Sequence, residues 1–157
     1  MNFLHTDKSD EHISLHDCIA TGAYFRDGKL GFEFDNGFWA LDSHPENSLG
    51  KTVRTDFSRV EYDLDEGQDY DVTIYCFDDV DGYKSIRTHI PTQKFVDDIN
   101  AGKYRPEFLY RYLGYGAMIL ECELVFDKAP YRKECAIRIC ADEVTYSWNN
   151  LRADATW

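Results

Sequence analysis

Alternation of apolar and polar residues, broken by Asp-Gly and Asn-Gly pairs, is the feature that most restricts how this chain can fold. Side chains alternate between the two faces of a β-strand, so a period of two predicts strands with one buried face. The pairs Asp27-Gly28 and Asn36-Gly37 suit two-residue hairpin turns, in which both central residues need positive φ. The sequence therefore predicts two consecutive hairpins in this part of the chain.

The predicted register of these two hairpins is consistent with one buried face. A loop at 27–28 places Phe25 opposite Leu30, and a loop at 36–37 places Phe34 opposite Trp39. Both loops keep the same apolar set on one side, and a slip by one residue would expose that set. Residues 19–42 are therefore predicted to form a three-strand meander.

Further strands are predicted by the same alternation along the rest of the chain. They are residues 52–64 with a possible bend, 70–77, 84–90, 107–114, 117–126 and 134–141, with another strand after 142–143.

Three local features of these strands are predicted as well. A three-residue loop with Gly82 as a bulge joins 70–77 to 84–90 and places Cys76 opposite Ile86. A tight connection at 142–143 makes a hairpin of the last two strands. Apolar residues at both parities of 107–114 predict a strand covered on both faces, partly by a helix.

One helix is predicted, at about residues 92–101. Its apolar stripe is Phe95, Val96 and Ile99, and Gly102 follows as the usual left-handed residue after a helix end. The predicted fold class is mostly β: an antiparallel β-sandwich or partly closed barrel built from hairpins, with this short helix packed on it. We expect a single domain over residues 1–157, with residues 1–11 frayed.

Charge and composition exclude several classes of protein. The chain has 29 acidic residues against 17 Lys and Arg, a net charge of −12, which disfavours binding to nucleic-acid phosphates. No apolar run approaches the roughly 20 residues of a membrane helix, and the start lacks the pattern of a secretory signal. The five cysteines are an odd number without C-x-x-C spacing, which indicates free thiols in a reducing cytoplasm.

The cysteines fall into two groups by their position in the pattern. Cys76, Cys122 and Cys135 lie in register with apolar residues and are expected in the core. The surroundings of Cys18 and Cys140 are left open, and so is the reactivity of their thiols.

An acidic block is the first candidate for function. Residues 60–83 hold nine acidic residues and no Lys or Arg, so three quarters of the net charge lies in 24 residues. If the two strands of this block are neighbours, they present an outer acidic face that suits a basic protein partner. The predicted partner-binding residues are Glu61, Asp63, Asp71, Tyr75, Asp78, Asp79 and Asp81; the alternative is a solvated face that only keeps the protein in solution.

Metal and catalytic sites have less support from the sequence. The stretch 78–82 fits an EF-hand loop poorly, because two key ligand positions fail. His12 and His16 would share a face on a helix, with Asp17 as a further candidate metal ligand. No nucleotide, hydrolase or metalloprotease motif occurs, so we predict no catalytic residue and no cofactor.

The sequence therefore predicts a non-catalytic cytoplasmic interaction domain whose acidic strand pair binds a basic protein. An immunity-type neutraliser of a toxin has these charge properties, which is an analogy of charge alone. The alternative is a small-ligand-binding β-protein with an aromatic cavity, and the least favoured function is a metal-dependent hydrolase. Oligomeric state cannot be predicted from these patterns.

Overall fold

The computed structural model describes residues 2–80 and 84–157, with the backbone alone at 79, 80, 84 and 85. Within these ranges the chain is mostly strand and has one α-helix, α1, at Thr92–Asn100. The strands in chain order are β1 His5–Asp7, β2 Ile13–Ser14, β3 Cys18–Ile19, β4 Gly22–Arg26, β5 Lys29–Phe34, β6 Trp39–Ala40, β7 Val53–Thr55, β8 Ser58–Leu64, β9 Val72–Val80, β10 Lys84–Ile90, β11 Arg105–Gly114, β12 Ala117–Val125, β13 Arg132–Ile139, β14 Ala141–Trp148 and β15 Leu151–Thr156.

The strands form three antiparallel sheets. A five-stranded sheet has the order β1-β14-β8-β5-β4, and a six-stranded sheet has the order β10-β9-β13-β12-β11-β3. A smaller sheet has the order β15-β7-β6-β2. The predicted fold class, a mostly β antiparallel architecture with one short helix, is confirmed.

The core lies between the five-stranded and six-stranded sheets. Phe32 and Phe34 of β5 meet Phe108 of β11, with ring centroids 5.2 and 5.6 Å apart. Tyr62, from the next strand of the five-stranded sheet, is fully buried beside Phe32. Inward-facing residues alternate with outward-facing ones along each strand, as a sandwich of two sheets requires.

The helix packs against β4 of one sheet and β9 of the other. It buries Phe95, Val96 and Ile99, as predicted, and Gly102 follows with a φ of +68°. Asn100 fixes its end to the sheet edge, because its side chain exchanges two hydrogen bonds with the backbone of Ala23, at 2.8 and 3.0 Å. The helix is only nine residues long, so no helix of the described ranges could cross a membrane.

The hairpin at 27–28 has the predicted register, but the one at 36–37 does not exist. Asp27 and Gly28 both have positive φ, and Phe25 faces Leu30. The second neighbour of β5 is β8, and Trp39 belongs to the small sheet, so the predicted pairing of Phe34 with Trp39 is wrong.

Close packing explains why the chain leaves the sheet here. After a turn closed by the bond from Gly37 N to Phe34 O, Gly37 crosses over Thr55. A Cβ atom at Gly37 would lie 2.1 Å from the Thr55 carbonyl oxygen, so glycine serves a close backbone approach and not a hairpin.

The predicted hairpin at 142–143 is also wrong. Cys140 separates β13 and β14, and these two strands belong to different sheets. The corner is held by backbone bonds, from Cys140 N to Asp71 O at 2.8 Å and from Asp65 N to Cys140 O at 3.2 Å. The buried positions change here from odd numbers, such as Ile137 and Ile139, to even numbers, such as Val144 and Tyr146. This change of parity suggests a hairpin, but it comes from a bulge between Ala141 and Glu143 in a chain that moves to the other sheet.

Three further predictions need correction or qualification. Strands β9 and β10 pair as predicted, but Cys76 faces Thr88 and not Ile86, while the predicted bulge at Gly82 lies outside the described residues. We expected residues 1–11 to fray, whereas His5–Asp7 pair with β14 as an edge strand. The strand over 107–114 is not covered on both faces. The helix packs against β4 and β9, and the half of this strand nearest the hairpin turn is exposed.

Candidate functional site

The acidic strand pair predicted from the sequence is split between two sheets. Glu61 and Asp63 lie on β8, whose neighbours are β5 and β14. Asp71, Tyr75 and Asp78 belong to the start and body of β9, whose neighbours are β10 and β13. The prediction that these strands share one outer face is therefore wrong.

Glu61 and Asp63 interact with side chains of the five-stranded sheet itself. Asp63 Oδ1 lies 2.6 Å from the Lys29 ammonium on the neighbouring strand. Burial, and then the neighbouring Glu61 carboxylate, raise the pKa of Tyr24. Carboxylates that are already paired inside the fold contribute less to a partner's binding.

The remaining predicted residues have separate surroundings. Asp71 is buried, and its Oδ2 accepts hydrogen bonds from the backbone N–H groups of Glu66 and Gln68 at 3.1 and 3.0 Å, which fixes the turn before β9. Asp78 pairs with Lys133 at 2.6 Å. The side chain of Asp79 and the whole of Asp81 lie outside the described residues, so their predicted role is untested.

The three candidate metal ligands do not come together. His12 contacts the Ser43 hydroxyl at 3.1 Å, while His16 Nδ1 donates to the Leu109 carbonyl oxygen at 2.6 Å. Asp17 lies 3.6 Å from the other nitrogen of His16. The described part of the chain holds no group of three or more His, Cys, Asp or Glu side chains placed for a metal ion.

His16 instead fixes a bulge in β11. The register between β11 and β12 shifts between Phe108 and Tyr110, which leaves Leu109 as the extra residue. The bulge reverses the alternation, so Phe108 points into the core and Tyr110 points out, although both are even-numbered. The hydrogen bond from His16 to Leu109 holds this reversal in place.

A partly buried network anchors the strand just after the bulge. The Arg111 guanidinium donates to the Tyr146 hydroxyl of β14 at 3.0 Å and forms an ion pair with Asp10. Tyr146 also donates to Asp10, so three side chains from three segments close on one another. The base of the β11–β12 hairpin is therefore fixed to the five-stranded sheet.

Beyond this anchor, the hairpin carries a concentration of exposed apolar side chains. Five of the twelve exposed large hydrophobic residues among those described lie on it. These five, which we call the tyrosine hairpin, are Tyr110, Tyr112, Leu113, Tyr115 and Ile119.

The tyrosine hairpin is apolar on both faces. Tyr112 is paired with Ile119 on the outer side, while Leu113 is paired with Met118 on the other side. Tyr115 stands at the turn and is fully exposed. Clustered apolar side chains at the surface of a protein mark interaction sites more often than scattered ones do.

A group of acidic side chains lies at the same end of the six-stranded sheet. Asp65, Glu66, Asp69 and Asp142 are exposed around the corner at Cys140, and we call them the acidic end. Slight desolvation raises the pKa of Asp65, and the charges of Asp142, Asp71 and Glu66 raise it further.

The ladder pairings place the acidic end beside the tyrosine hairpin. Met118, near the hairpin turn, pairs with Ile139, and Ile139 pairs with Val72 of β9. Cys140 and Asp71 form the next pair beyond Ile139 and Val72, at the corner that carries the acidic end. An apolar projection and a group of carboxylates without an ion pair among the described residues thus occupy one end of the six-stranded sheet.

Further exposed and half-buried side chains extend from the tyrosine hairpin across the outer face of the six-stranded sheet. His89, Tyr75, Ala136, Glu121 and Tyr110 lie in one row across five strands, each opposite the next. Tyr75 was predicted as a partner-binding residue, and it is half-buried between His89 and the guanidinium of Arg87, 4.3 Å from its ring centre.

No large aromatic cavity accompanies these surfaces in the hollows found among the described residues. A cleft of about 170 Å³ lies between the 13–16 segment and the bulge of β11. Two hollows of about 320 Å³ are lined mainly by polar and charged side chains. Sites for drug-sized ligands usually enclose about 300–1,000 Å³ and are mainly apolar, so the small-ligand alternative gains no specific support.

The cysteine thiols left open by the sequence also have defined surroundings. Cys18 is buried, and burial raises its pKa to about 12 despite the opposing charge of Arg54, so its thiol is protonated at neutral pH. Cys140 is half-buried at the corner between the two sheets. Cys76, Cys122 and Cys135 are buried, as predicted.

The residues of the tyrosine hairpin are evident in the sequence, but their pattern predicts the wrong surroundings. Apolar residues at both parities predict two covered faces, whereas here they result from a bulge and from exposure. The signal available was the mixture itself: three Tyr rather than Ile or Val, and a Tyr115-Gly116 turn.

Comparison with known protein families, with curated proteins and with solved structures returns no match. The chemistry of the tyrosine hairpin and of the acidic end therefore carries the functional inference.

Proposed function

We propose that this chain is a protein-interaction module that binds a basic protein partner through the tyrosine hairpin and the acidic end. The observation that carries the proposal is the concentration of five exposed large apolar side chains on one projecting hairpin. The class of function is the one predicted from the sequence, but the surface is different from the predicted strand pair.

The tyrosine hairpin has the composition of an interface centre. Tyrosine supplies a large contact area with few rotatable bonds and a hydroxyl that tolerates water in the free protein. Fully burying one tyrosine removes about 150–250 Å² from water, and aromatic anchors dominate the energy of many interfaces. Because Arg111 fixes the hairpin base, we expect little ordering cost on binding.

The acidic end is the reason to expect a positively charged partner. Its four exposed carboxylates lie in a stretch of the fold where like charges already raise the pKa of Asp65. A basic partner would relieve this repulsion and approach faster under electrostatic attraction. An immunity-type neutraliser that covers a basic toxin is one narrower version of this proposal, and it is supported by charge alone.

The experiment identifies the partner first and then measures its affinity. A photo-crosslinking residue at position 115 captures partners in the source cells, with the same residue at position 131 as a matched control, because Tyr131 is 63% exposed outside the hairpin. Binding of the purified partner is then compared for the wild type, the triple variant Tyr112→Ser/Leu113→Ser/Tyr115→Ser and the control Tyr131→Ser.

We expect the triple variant to weaken binding by about 100-fold or more, and Tyr131→Ser to leave it unchanged. Asp65→Asn/Asp142→Asn should slow association several-fold at low salt and reduce the dependence of affinity on salt. The proposal is wrong if the triple variant, still folded by circular dichroism, binds the crosslinked partner as tightly as the wild type does.

A further inference from the structure

Four of the five cysteines lie on the inner face of the six-stranded sheet, and three of them lie in one row. Cys76 of β9 is directly opposite Cys135 of β13, and Cys135 is directly opposite Cys122 of β12. Cys18 lies opposite Phe108 at the far side of the same sheet. The row places Cys135 between two other thiols, so the geometry must decide which of them it can join.

The hydrogen-bonding pattern favours Cys76. The bond from Cys140 N to Asp71 O makes 71/140 a hydrogen-bonded pair of the β9–β13 ladder. Such pairs alternate with non-hydrogen-bonded pairs, and five steps along the regular ladder make 76/135 a non-hydrogen-bonded pair.

The same reasoning gives the opposite result for Cys122. The bond from Phe126 N to Tyr131 O makes 126/131 a hydrogen-bonded pair of the β12–β13 side. Four steps along that ladder make 122/135 a hydrogen-bonded pair. Cα atoms lie about 4.5 Å apart in a non-hydrogen-bonded pair, against about 5.5 Å in a hydrogen-bonded one, so side chains meet more closely across 76/135.

The sulfur atoms agree with the backbone. The neighbouring Cys135 thiol and the positive charge of Lys133 lower the pKa of Cys76 in spite of its burial. Cys76 likewise has a larger influence than Cys122 on the pKa of Cys135. Cys76 is 5% exposed and Cys135 is 0% exposed, so Cys76 is the thiol that a small oxidant meets first.

We propose that Cys76 and Cys135 are a reversible oxidation site, in which a peroxide converts the two thiols to a cross-strand disulfide. The inference is independent of the proposed partner binding. The disulfide would also join the neighbouring strands β9 and β13 through two cysteines that are 59 residues apart in the sequence.

The chemistry balances without another reactant. The Cys76 thiolate attacks one peroxide oxygen; the S–O bond forms, the O–O bond breaks, and the other oxygen leaves as water after taking a proton. The Cys135 sulfur then attacks the Cys76 sulfenic acid; the S–S bond forms, the S–O bond breaks, and a second water leaves. Two thiols lose two electrons and two protons, and one peroxide is reduced to two waters.

The test uses the folded, reduced full chain treated with equimolar hydrogen peroxide. Remaining thiols are alkylated in acid, and the digest is mapped by mass spectrometry without reduction. We expect loss of two hydrogen atoms, a peptide pair that joins Cys76 to Cys135, and return to the starting mass with a reductant. The oxidised form should have a higher Tm, because a long loop is closed in the unfolded chain.

Variants separate this site from the other thiols. Cys135→Ala and Cys76→Ala should each abolish the disulfide, while Cys122→Ala and Cys140→Ser should each retain it. The wild-type map alone is decisive if a buried variant fails to fold. A disulfide that involves Cys122 or Cys140, a disulfide between chains, or five free thiols after treatment would overturn the proposal.

Discussion

The outer faces of the two large sheets are built from the same alternating pattern and both carry ion pairs, but the tyrosine hairpin of the six-stranded sheet leaves aromatic side chains exposed. On the five-stranded sheet the outward charges are paired: Lys29 with Asp63, and Arg59 with Glu33, each at 2.6 Å. On the six-stranded sheet the tyrosines turned out by the bulge at Leu109 stay exposed. The comparison teaches that an outward position does not by itself define a binding surface.

Tyr24 shows how the five-stranded face closes on itself. Its ring lies over Gly31, where an added Cβ would be 2.3 Å from the ring, and the guanidinium groups of Arg26 and Arg59 lie 5.0 and 5.4 Å from the ring centre. Tyr112 on the other sheet donates a hydrogen bond to Glu121 at 3.1 Å, and its ring lies 6.5 Å from that of Tyr110, yet it stays 53% exposed. One tyrosine is packed into the fold, and the other remains at the surface.

The largest loss of stability is expected from a substitution at Gly37, where the chain leaves the five-stranded sheet. Gly37→Ala combines a left-handed backbone with a clash against the Thr55 carbonyl, and we expect a loss of about 3 kcal/mol in the free energy of unfolding. Gly50→Ala is the matched control: it has a similar φ of +65° and nothing within 4 Å, so it should cost about 1 kcal/mol. Equal losses in urea unfolding would contradict the close approach at Gly37.

A smaller effect compares the two tyrosines directly. Tyr24→Ala removes a half-buried ring and two cation–π contacts, so we expect a loss of about 2 kcal/mol. Tyr112→Ala should change stability by less than about 0.5 kcal/mol, since its ring is mostly in water. If chemical denaturation gives the two variants the same loss, the distinction between the faces is wrong.

The smallest effect concerns the acidic end, whose charge neither face neutralises. Because the folded-state pKa of Asp65 is raised, ionisation of this group opposes folding; the penalty is present above the folded pKa and disappears below the unfolded one. Asp65→Asn should therefore slightly raise Tm at pH 7 and have no such effect in strong acid. Asp154→Asn is the control of opposite sign, because hydrogen bonding from Arg152 lowers the pKa of Asp154. A lower Tm for Asp65→Asn at pH 7 would contradict the assignment.

The elements were largely predictable from the sequence, but their arrangement was not. The turn at Asp27-Gly28 was found because the turn residues and the buried face both depend on neighbouring positions. At Asn36-Gly37 the same alternation continues into another sheet, and at Asp142 the change of buried parity comes from a bulge at a corner between sheets and not from a hairpin. A period of two specifies which side chains are buried, and it carries no information on which sheet buries them.

The candidate site was less predictable for two physical reasons. Whether Asp63 is available to a partner depends on Lys29, which is distant in sequence and adjacent only after β5 pairs with β8. The direction of Tyr110 depends on a single extra residue, Leu109, held by a side chain from the 13–16 segment. Both facts are set by contacts between distant segments: the ion pair of Asp63 leaves no mark in local periodicity, and the bulge leaves a mixture of parities that does not say which face is exposed.

The position of β14 has a consequence for how the protein is made. This strand, residues 141–148, lies between β1 and β8, so the first strand of the chain has its only neighbour near the other end. During synthesis β8 therefore keeps one open edge until residues 141–148 have been translated. Over that interval the backbone groups of β8 beside Val60 and Tyr62 have no strand on that side, so another strand can pair there in place of β14.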